Sequence, residues 1–111
     1  MPTDKELVVY TRSFGCPYWT MAKKVLNQHE IDYRIILIDR DKEARQRVVD
    51  WTGFKSVPTI IVAESGSDLP YTEPDSLSRG QSPKGIDRGA MITEATTPQF
   101  ESWLRKHGFI E

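Results

Sequence analysis

Short apolar runs alternate with longer amphipathic stretches along the chain, and these two patterns predict strands and helices. Runs rich in β-branched residues predict four strands, over residues 7–11, 33–39, 59–63 and, most weakly, 90–93. Apolar positions three and four residues apart predict three helices, from Pro17 to about His29, from the turn at 39–41 to about Thr52, and from Thr97-Pro98 to Gly108. The predicted order of elements is therefore β-α-β-α-β-β-α.

The predicted helices carry signals at their ends and along their inner faces. Pro17 suits a first helical turn, and Thr97-Pro98 is typical of an N-cap followed by a proline. Gly53 is the residue type expected directly after a helix. Two acid-first pairs at a spacing of four predict ion pairs in the second helix, Asp41 with Arg45 and Glu43 with Arg47. The predicted inner faces are Tyr18, Met21, Ala22, Val25 and Leu26, then Ala44, Val48 and Trp51, then Phe100, Trp103 and Leu104.

This order predicts an α/β fold with one four-stranded mixed sheet. A strand–helix–strand unit makes a parallel pair through a right-handed crossover, whereas the last two strands have no helix between them and are expected to be antiparallel. Helices then have to cover both faces of the sheet. The 111 residues fit a single domain, with a loop insertion at about residues 65–89 that is rich in glycine, proline and serine.

Charge changes this picture little, because 15 basic residues face 16 acidic ones and the net charge is −1. We therefore expect no nucleic-acid and no membrane-surface partner. No apolar run approaches the roughly 20 residues of a membrane span, and the polar first residues predict no signal peptide. A single cysteine excludes an intrachain disulfide, which agrees with a cytoplasmic location, and it leaves too few ligands for a Cys₄ or Cys₂His₂ zinc site.

That cysteine, Cys16, lies between the first predicted strand and the first predicted helix. Backbone N–H groups and the dipole at a helix N-terminus favour a negative charge. The thiolate is the nucleophilic form of cysteine, so this placement predicts a reactive thiol. A lone cysteine is also often a small buried apolar residue, and that interpretation fits Cys16 if its neighbours are ignored.

Two motifs resemble those of the glutaredoxin family, which has the thioredoxin fold. Cys16-Pro17-Tyr18 is similar to the start of the family's active-site motif Cys-Pro-Tyr-Cys, and residues 52–58 (Thr-Gly-Phe-Lys-Ser-Val-Pro) resemble its Thr-Gly-x-x-Thr-Val-Pro. The resemblance covers residues 7–63 well and the last helix loosely. It implies a thioredoxin-like fold in which Pro58 follows a cis peptide bond, a minority state of X–Pro bonds, and faces the Cys16 thiol.

The resemblance also implies roles for single residues. Cys16 matches the nucleophile, and Val57 matches the residue whose backbone pairs with the cysteinyl part of glutathione. Arg12, Arg45 and Lys55 are expected to hold the glycyl carboxylate of glutathione, although Arg45 also fits an ordinary solvated helix face. In the family, a Gly-Gly after the fourth strand helps to bind the γ-glutamyl end of glutathione, and this Gly-Gly is missing here. Hydroxyl and N–H groups at the N-terminus of the last helix are expected to bind that end instead. The predicted glutathione-binding residues are Arg12, Tyr18, Arg45, Lys55, Val57, Pro58, Thr96 and Thr97.

Trp19 stands where the family motif has its second cysteine, so no internal thiol can resolve a mixed disulfide. The implied activity is that of a monothiol disulfide oxidoreductase. Its co-substrate would be glutathione or another low-molecular-weight thiol, its substrates glutathionylated proteins, and its expected state a monomer. Trp19 itself is interpreted either as an aromatic lid near the site or as a residue that packs against the long loop.

Two other functions fit the same residues. Some monothiol glutaredoxins hold a [2Fe–2S] cluster between two subunits, with one cysteine from each subunit and two glutathione thiolates. The bulk of Trp19 argues against such a cluster here, and no other metal site is predicted. The second alternative is a binding module of thioredoxin fold without catalysis, in which Trp19 and the long loop contact a partner.

Overall fold

Residues 5–110, which the structure describes, form a four-stranded mixed sheet with strand order β2-β1-β3-β4 and three helices. The structure is a computed structural model. The elements are β1 (Lys5–Thr11), α1 (Pro17–Gln28), β2 (Tyr33–Leu37), α2 (Lys42–Thr52), β3 (Thr59–Glu64), β4 (Met91–Thr93) and α3 (Thr97–Lys106). The predicted order of elements is confirmed. In this part of the chain, no helix is long and apolar enough to cross a membrane.

The two central strands, β1 and β3, run antiparallel, with Leu7 opposite Val62 and Tyr10 opposite Thr59. The outer strands pair as predicted, since β2 is parallel to β1 and β4 is antiparallel to β3. Because β1 ends beside the start of β3, the residues that follow β1 lie next to those that precede β3.

Each face of the sheet packs against its own helices, because side chains alternate between the two faces of a strand. One face packs against α1 and α3 and the other against α2, so the prediction of helices on both faces is confirmed. The first cluster includes Leu7, Val9, Val25, Leu26, Ile60, Val62, Phe100, Trp103 and Leu104, and the second Val8, Tyr10, Ala44, Val48, Ile61 and Ala63. Burial on both faces fixes the register of the central strands.

The predictions for Met21 and for the end of β2 are wrong. Met21 is exposed, because it lies about 100° round the helix from Ala22 and outside the stripe of buried residues on α1. β2 ends at Leu37 rather than Asp39, because the chain turns there and the Arg40 N–H donates to the Leu37 carbonyl at 3.2 Å.

The cap of α2 replaces one of the two predicted ion pairs. The Asp41 carboxylate accepts a hydrogen bond from the Ala44 N–H at 3.0 Å, and it forms no ion pair with Arg45 in the described residues. The pair between Glu43 and Arg47 is present, with 3.8 Å between the charged groups. An N-cap bond satisfies a backbone donor that has no partner within the helix, which explains why the aspartate takes this role.

α3 begins one residue earlier than predicted, with Thr96 rather than Thr97 as its N-cap. The Thr96 Oγ1 accepts a hydrogen bond from the Gln99 N–H at 3.4 Å, and the Gln99 Oε1 accepts one from the Thr96 N–H at 2.8 Å. This reciprocal arrangement satisfies two backbone donors at once. The glutamine three residues after Thr96 therefore decides where the helix begins.

The long segment, residues 65–90, contains no helix or regular strand, as its composition predicts. Arg34 of β2 fixes the first part of the segment to the sheet. Its guanidinium pairs with Glu6 at 2.7 Å and Asp68 at 2.8 Å, and it donates to the Ser67 carbonyl at 2.6 Å. The Tyr10 hydroxyl donates to the Asp68 carbonyl as well.

Arg88 fixes the last part of the long segment. Its side chain is only 6% exposed, and it donates to the carbonyl oxygens of Trp51 at 2.6 Å and Asp75 at 2.7 Å. Trp51 lies in the last turn of α2, where carbonyl groups lack helical partners and a cation is favourable. Burial lowers the pKa of Arg88, although a guanidinium remains charged in proteins. One side chain thus connects the long segment to α2.

The turn that precedes β4 is connected to α3 through one carbonyl group. The Gly89 oxygen accepts a hydrogen bond from Trp103 Nε1 at 2.8 Å and lies 2.7 Å from His107 Nε2. Burial lowers the pKa of His107, and the hydrogen bond to Gly89 opposes this effect only in part.

We expect Arg88→Gln to reduce the free energy of unfolding by about 1–3 kcal/mol, the cost of leaving partly buried carbonyl groups without donors. Urea denaturation measures the difference. The control is Arg79→Gln, at an exposed arginine of the same segment, which should change stability by less than about 0.5 kcal/mol. Equal losses of stability in the two variants would contradict the conclusion that Arg88 connects the long segment to α2.

Mild acid is expected to destabilise the fold through His107. A histidine whose pKa is lowered by folding contributes stability that is present above its ordinary value of 6.5 and is lost as the pH falls through that value. Between about pH 7.5 and pH 5.5, the melting temperature of the wild type should therefore fall further than that of His107→Gln. A parallel decline in both proteins would rule out His107 as the source.

Candidate active site

The single cysteine lies at the N-terminus of α1, as predicted. Cys16 is the N-cap residue, with extended backbone angles, and Pro17 opens the helix without needing a hydrogen-bond acceptor. The Cys16 carbonyl accepts hydrogen bonds from the N–H of Thr20 at 3.0 Å and from its hydroxyl at 3.2 Å. The first turn contains no acidic residue, so the helix N-terminus favours negative charge at this point without opposition from its own side chains.

The Cys16 thiol faces the peptide unit before Pro58. Its sulfur donates to the Val57 carbonyl at 3.3 Å, and the Val57-Pro58 bond is cis. The predicted cis peptide bond and its closeness to the thiol are therefore confirmed. Cys16 is only 6% exposed, so a reacting molecule has a narrow approach to the sulfur.

Three of the predicted cations line one cavity next to the thiol. The cavity has a volume of 220 Å³ and is lined by Arg12, Phe14, Ile38, Asp39, Arg45, Lys55 and Val57. These residues come from the ends of β1 and β2, from α2 and from the segment before β3. Val57 belongs both to this cavity and to the surroundings of the Cys16 sulfur.

The Arg12 guanidinium is held in place, but one of its N–H donors has no acceptor. Its Nη2 donates to the Gly15 carbonyl at 3.0 Å, and its guanidinium lies 5.0 Å from the centre of the Phe14 ring. Its Nε is buried and has no acceptor among residues 5–110. Buried donors without partners are rare and costly, so this edge of the cavity favours an incoming acceptor such as a carboxylate.

Asp39 adds one negative charge to the cavity. Its carboxylate accepts hydrogen bonds from the Ser13 hydroxyl and from the Ser13 N–H, the latter at 3.1 Å. These bonds, chiefly the one from the hydroxyl, lower the pKa of Asp39, so it is ionised at neutral pH. Sequence patterns assigned Asp39 to a strand end and gave no sign that it joins the cations.

The opposite side of the thiol carries Tyr18 and a lysine from the long segment. The Lys84 ammonium lies 4.6 Å from the centre of the Tyr18 ring. A hydrogen bond with the Tyr18 hydroxyl raises the pKa of Lys84. The sequence indicated Tyr18 through its motif but missed Lys84, because nothing in a loop rich in glycine, proline and serine predicts where a residue of that loop returns to the domain.

The two predicted threonines lie at the start of α3, which follows β4. The N–H of Glu94 donates to the Pro58 carbonyl at 3.0 Å, and this bond brings the connection between β4 and α3 to the proline. The hydroxyl and N–H of Thr96 are both used in the capping box. Of the two threonines, Thr97 is therefore the one whose groups are not committed to that cap.

Trp19 packs against the sheet and the core, contacts that neither interpretation of the sequence named. Its ring makes an edge-to-face contact with Tyr33, at the start of β2, with 5.7 Å between the ring centres. It also lies against both core clusters and is only partly buried. Trp19 thus joins α1 to the sheet at the position where a second cysteine would stand. Residues 5–110 contain no group of three or more histidine, cysteine, aspartate or glutamate side chains that could hold a metal ion.

A family model described as glutaredoxin matches residues 7–65, just over half of the chain, from β1 to the residue after β3. The chain belongs to the glutaredoxin family. The match contains both Cys16 and Pro58, and it ends where the long segment begins. The mixed sheet with helices on both faces is accordingly a thioredoxin-like fold, as predicted.

Individual glutaredoxins are similar to part of the chain. The glutaredoxin of Vernicia fordii is 29% identical over 63 residues, which cover 54% of this chain and 60% of that protein, and the glutaredoxin of Ricinus communis is 30% identical over 63 residues, which cover 54% and 61%. The chain thus spans about six tenths of the length of these relatives. The crystal structure of the buckwheat glutaredoxin–glutathione complex is 27% identical, with a TM-score of 0.42, over 50% of this chain and 53% of that one.

Proposed function

We propose that the protein is a monothiol disulfide oxidoreductase that reduces glutathione mixed disulfides through Cys16. Membership of the glutaredoxin family supports thiol–disulfide chemistry in general. The observation that carries the proposal is the position of the sulfur, at the N-terminus of α1, 3.3 Å from the Val57 carbonyl and beside a cavity lined by three cations.

The reaction consists of two thiol–disulfide exchanges. The Cys16 thiolate attacks the glutathione sulfur of a mixed disulfide, the S–S bond breaks, and the substrate sulfur leaves as a thiolate that takes a proton from water. Cys16 now carries glutathione. The thiolate of a second glutathione attacks that glutathione sulfur, which releases glutathione disulfide and restores the Cys16 thiolate. The substrate is reduced, and the electrons come from glutathione.

The surroundings of Cys16 change role when the proton leaves. The thiol donates a hydrogen bond to the Val57 carbonyl, and a thiolate has no proton to donate. The N–H groups in the first turn of α1, which lack partners within the helix, are then the favourable neighbours of the sulfur. The backbone of Val57 would pair with the cysteinyl part of the bound glutathione.

The cavity next to Val57 suits the glycyl carboxylate of glutathione. Arg12, Arg45 and Lys55 contribute three positive charges against the one negative charge of Asp39. The Arg12 Nε still lacks an acceptor. Charge-assisted hydrogen bonds to a carboxylate are stronger than neutral ones, and a fixed carboxylate places the glutathione sulfur for attack.

The remaining assignments follow from a single catalytic thiol. The reducing partner is glutathione or a similar low-molecular-weight thiol, since the chain has no second cysteine, and the substrates are glutathionylated proteins. Such turnover needs a reduced thiol pool, so we place the protein in the cytoplasm. We further propose that it works as a monomer, because one Cys16 and one cavity complete the site.

A second candidate is a binding module without catalysis, and the burial of Cys16 favours it. With 6% exposure and a hydrogen bond to Val57, the thiol also has the surroundings of a structural cysteine. Reactive cysteines are partly exposed as a rule. The two candidates differ in whether another sulfur atom reaches Cys16 in the folded protein.

Cys16→Ser is expected to abolish the reduction of a glutathionylated peptide, because a hydroxyl cannot replace the thiolate as nucleophile. The measurement is coupled turnover in the presence of glutathione, with mass spectrometry of the wild type to detect glutathione bound to Cys16. A wild type that shows neither turnover nor this adduct, and whose thiol resists alkylation until the chain unfolds, would support the binding module instead.

The double variant Arg45→Met/Lys55→Met should raise the KM for a glutathionylated peptide by about tenfold or more, since the loss of even one charge-assisted hydrogen bond costs about 1.5–3 kcal/mol. Lys24→Met/Lys42→Met, which removes two exposed charges outside the cavity, is the control for net charge. The expected difference should disappear with a substrate whose glycyl carboxylate is replaced by an amide. An equal change with the amide would mean that the cavity does not hold this carboxylate.

A further inference from the structure

A second cavity lies between the end of α2 and the middle of the long segment. It has a volume of 450 Å³, within the roughly 300–1,000 Å³ of small-molecule sites. One wall consists of residues 50–54 and the other of residues 76–78, 80 and 81, and Arg88 completes the lining. None of these residues lines the cavity next to Cys16. The family match ends at residue 65, so the second wall belongs to a part of the chain beyond that match.

Arg88 is the cation of this second cavity, and it is buried without an anionic partner. Only 6% of Arg88 is exposed, and no carboxylate lies within 4.0 Å of its guanidinium in residues 5–110. Burial lowers the pKa of Arg88, and the charge of Asp75 opposes this effect only in part. Arginines are almost never fully buried unless they are paired, because an isolated buried charge is costly. Arg88 therefore favours an anion that comes from outside the chain.

One nitrogen of the Arg88 guanidinium is still free to bind. Nε and Nη1 donate to the carbonyl oxygens of Asp75 and Trp51, whereas Nη2 has no acceptor in the part of the chain that the structure describes. Among the described residues, the fully enclosed side-chain groups without a partner are the Thr11 hydroxyl and the Arg12 Nε. The Arg88 Nη2 is therefore accessible, and because Arg88 lines the second cavity, this nitrogen opens into it.

Gln81 offers a second donor, from the wall that the long segment forms. Its Oε1 accepts a hydrogen bond from the Ser78 N–H at 2.9 Å, and its own N–H donates to the Ser78 carbonyl at 2.9 Å. These two bonds hold the amide group in place. Its Nε2 has no acceptor within residues 5–110 and remains available, and the hydroxyl groups of Ser76 and Ser78 belong to the same wall.

Two features of the α2 wall oppose an anion, and both are partly engaged by other groups. The Asp50 carboxylate accepts a hydrogen bond from the Gln46 Nε2 at 2.9 Å. The carbonyl groups at a helix C-terminus carry partial negative charge, but that of Trp51 accepts from Arg88 itself. An anion is therefore expected next to Arg88 and the long segment rather than against α2.

Apolar side chains lie on both walls. Phe54 follows α2 and is half exposed, and the partly buried Leu77 belongs to the long segment. Small-molecule sites commonly combine apolar surface with a few polar groups that fix the orientation of the ligand. The lining therefore suits an anion that carries an apolar group better than a bare ion.

We propose that the second cavity binds a small organic anion, a carboxylate or a phosphate ester that carries an aromatic or other apolar group. The Arg88 Nη2 and the Gln81 Nε2 would donate to its oxygen atoms, and its apolar part would contact Phe54 and Leu77. The anion supplies the negative charge that the buried arginine lacks. The site includes neither Cys16 nor the cavity next to it, so this inference is independent of the proposed redox function.

The test titrates the ¹⁵N-labelled protein with benzoate, phenyl phosphate, benzamide and inorganic phosphate. It follows the NMR signals of the Arg88 Nε–H and of the backbone N–H groups of residues 76–81. Benzamide has the shape of benzoate without its charge, and inorganic phosphate has the charge of phenyl phosphate without its apolar group. The preferred anion, benzoate or phenyl phosphate, should shift these signals saturably and bind about tenfold more tightly than benzamide. Which of the two anions binds more tightly shows whether a carboxylate or a phosphate ester is preferred.

Gln81→Glu should weaken the binding of the preferred anion by about tenfold. The new carboxylate can still accept the Ser78 N–H, so the turn is kept, but the change removes a donor and adds a negative charge to the lining. The control is Gln28→Glu, the same change at an exposed glutamine of α1, which should bind as the wild type does. Arg88→Gln should bind the preferred anion no more tightly than benzamide, and its NMR spectrum reports whether the fold is kept.

The proposal is overturned if neither anion shifts these signals saturably, or if benzamide or inorganic phosphate binds as tightly as the preferred anion. Equal weakening in Gln81→Glu and Gln28→Glu would also overturn it, because the effect would then be one of net charge. If Arg88→Gln does not fold, the comparison of these two glutamine variants decides the outcome.

Discussion

The antiparallel pairing of β1 with β3 is the constraint on which the site depends. Tyr10 lies opposite Thr59, so the turn that carries Cys16 and the peptide unit before Pro58 are brought to the same end of the sheet. A slip of one residue would turn every side chain of a strand to the other face. Because both faces of β1 and β3 are buried, such a slip would expose the core. The packing of the two strands therefore fixes the distance between the Cys16 sulfur and Pro58.

Much of this arrangement could be predicted from local sequence. The apolar runs and helical periods gave the order of elements, since each reflects burial of one face or stripe. The site at Cys16 and Pro58 was predictable because two motifs specify its backbone. The errors occurred where a competing local interaction prevails. Thr96 caps α3 because Gln99 completes a capping box, and Asp41 caps α2 rather than pairing with Arg45.

The positions of the charged residues of the long segment could not be predicted. Lys84 and Arg88 belong to a segment whose course depends on single hydrogen bonds to Thr93, Asp75 and Trp51. No hydrophobic period marks such contacts, so composition predicts a loop and nothing about where it is attached. The place of Asp39 in the cavity could not be predicted for a similar reason. Its bonds to Ser13 connect two turns that are distant in sequence.

The long segment is attached to the rest of the domain at both of its ends, and its middle is largely exposed. Between Asp75, bonded to Arg88, and Lys84, bridged to Thr93, most residues are exposed. The entropy of closing a flexible loop grows slowly with its length, by about 0.6 kcal/mol for each doubling. Extra residues grafted between positions 77 and 82 should therefore leave the anchored lysine in place. A peptide tag inserted there should leave the residues around the thiol in place.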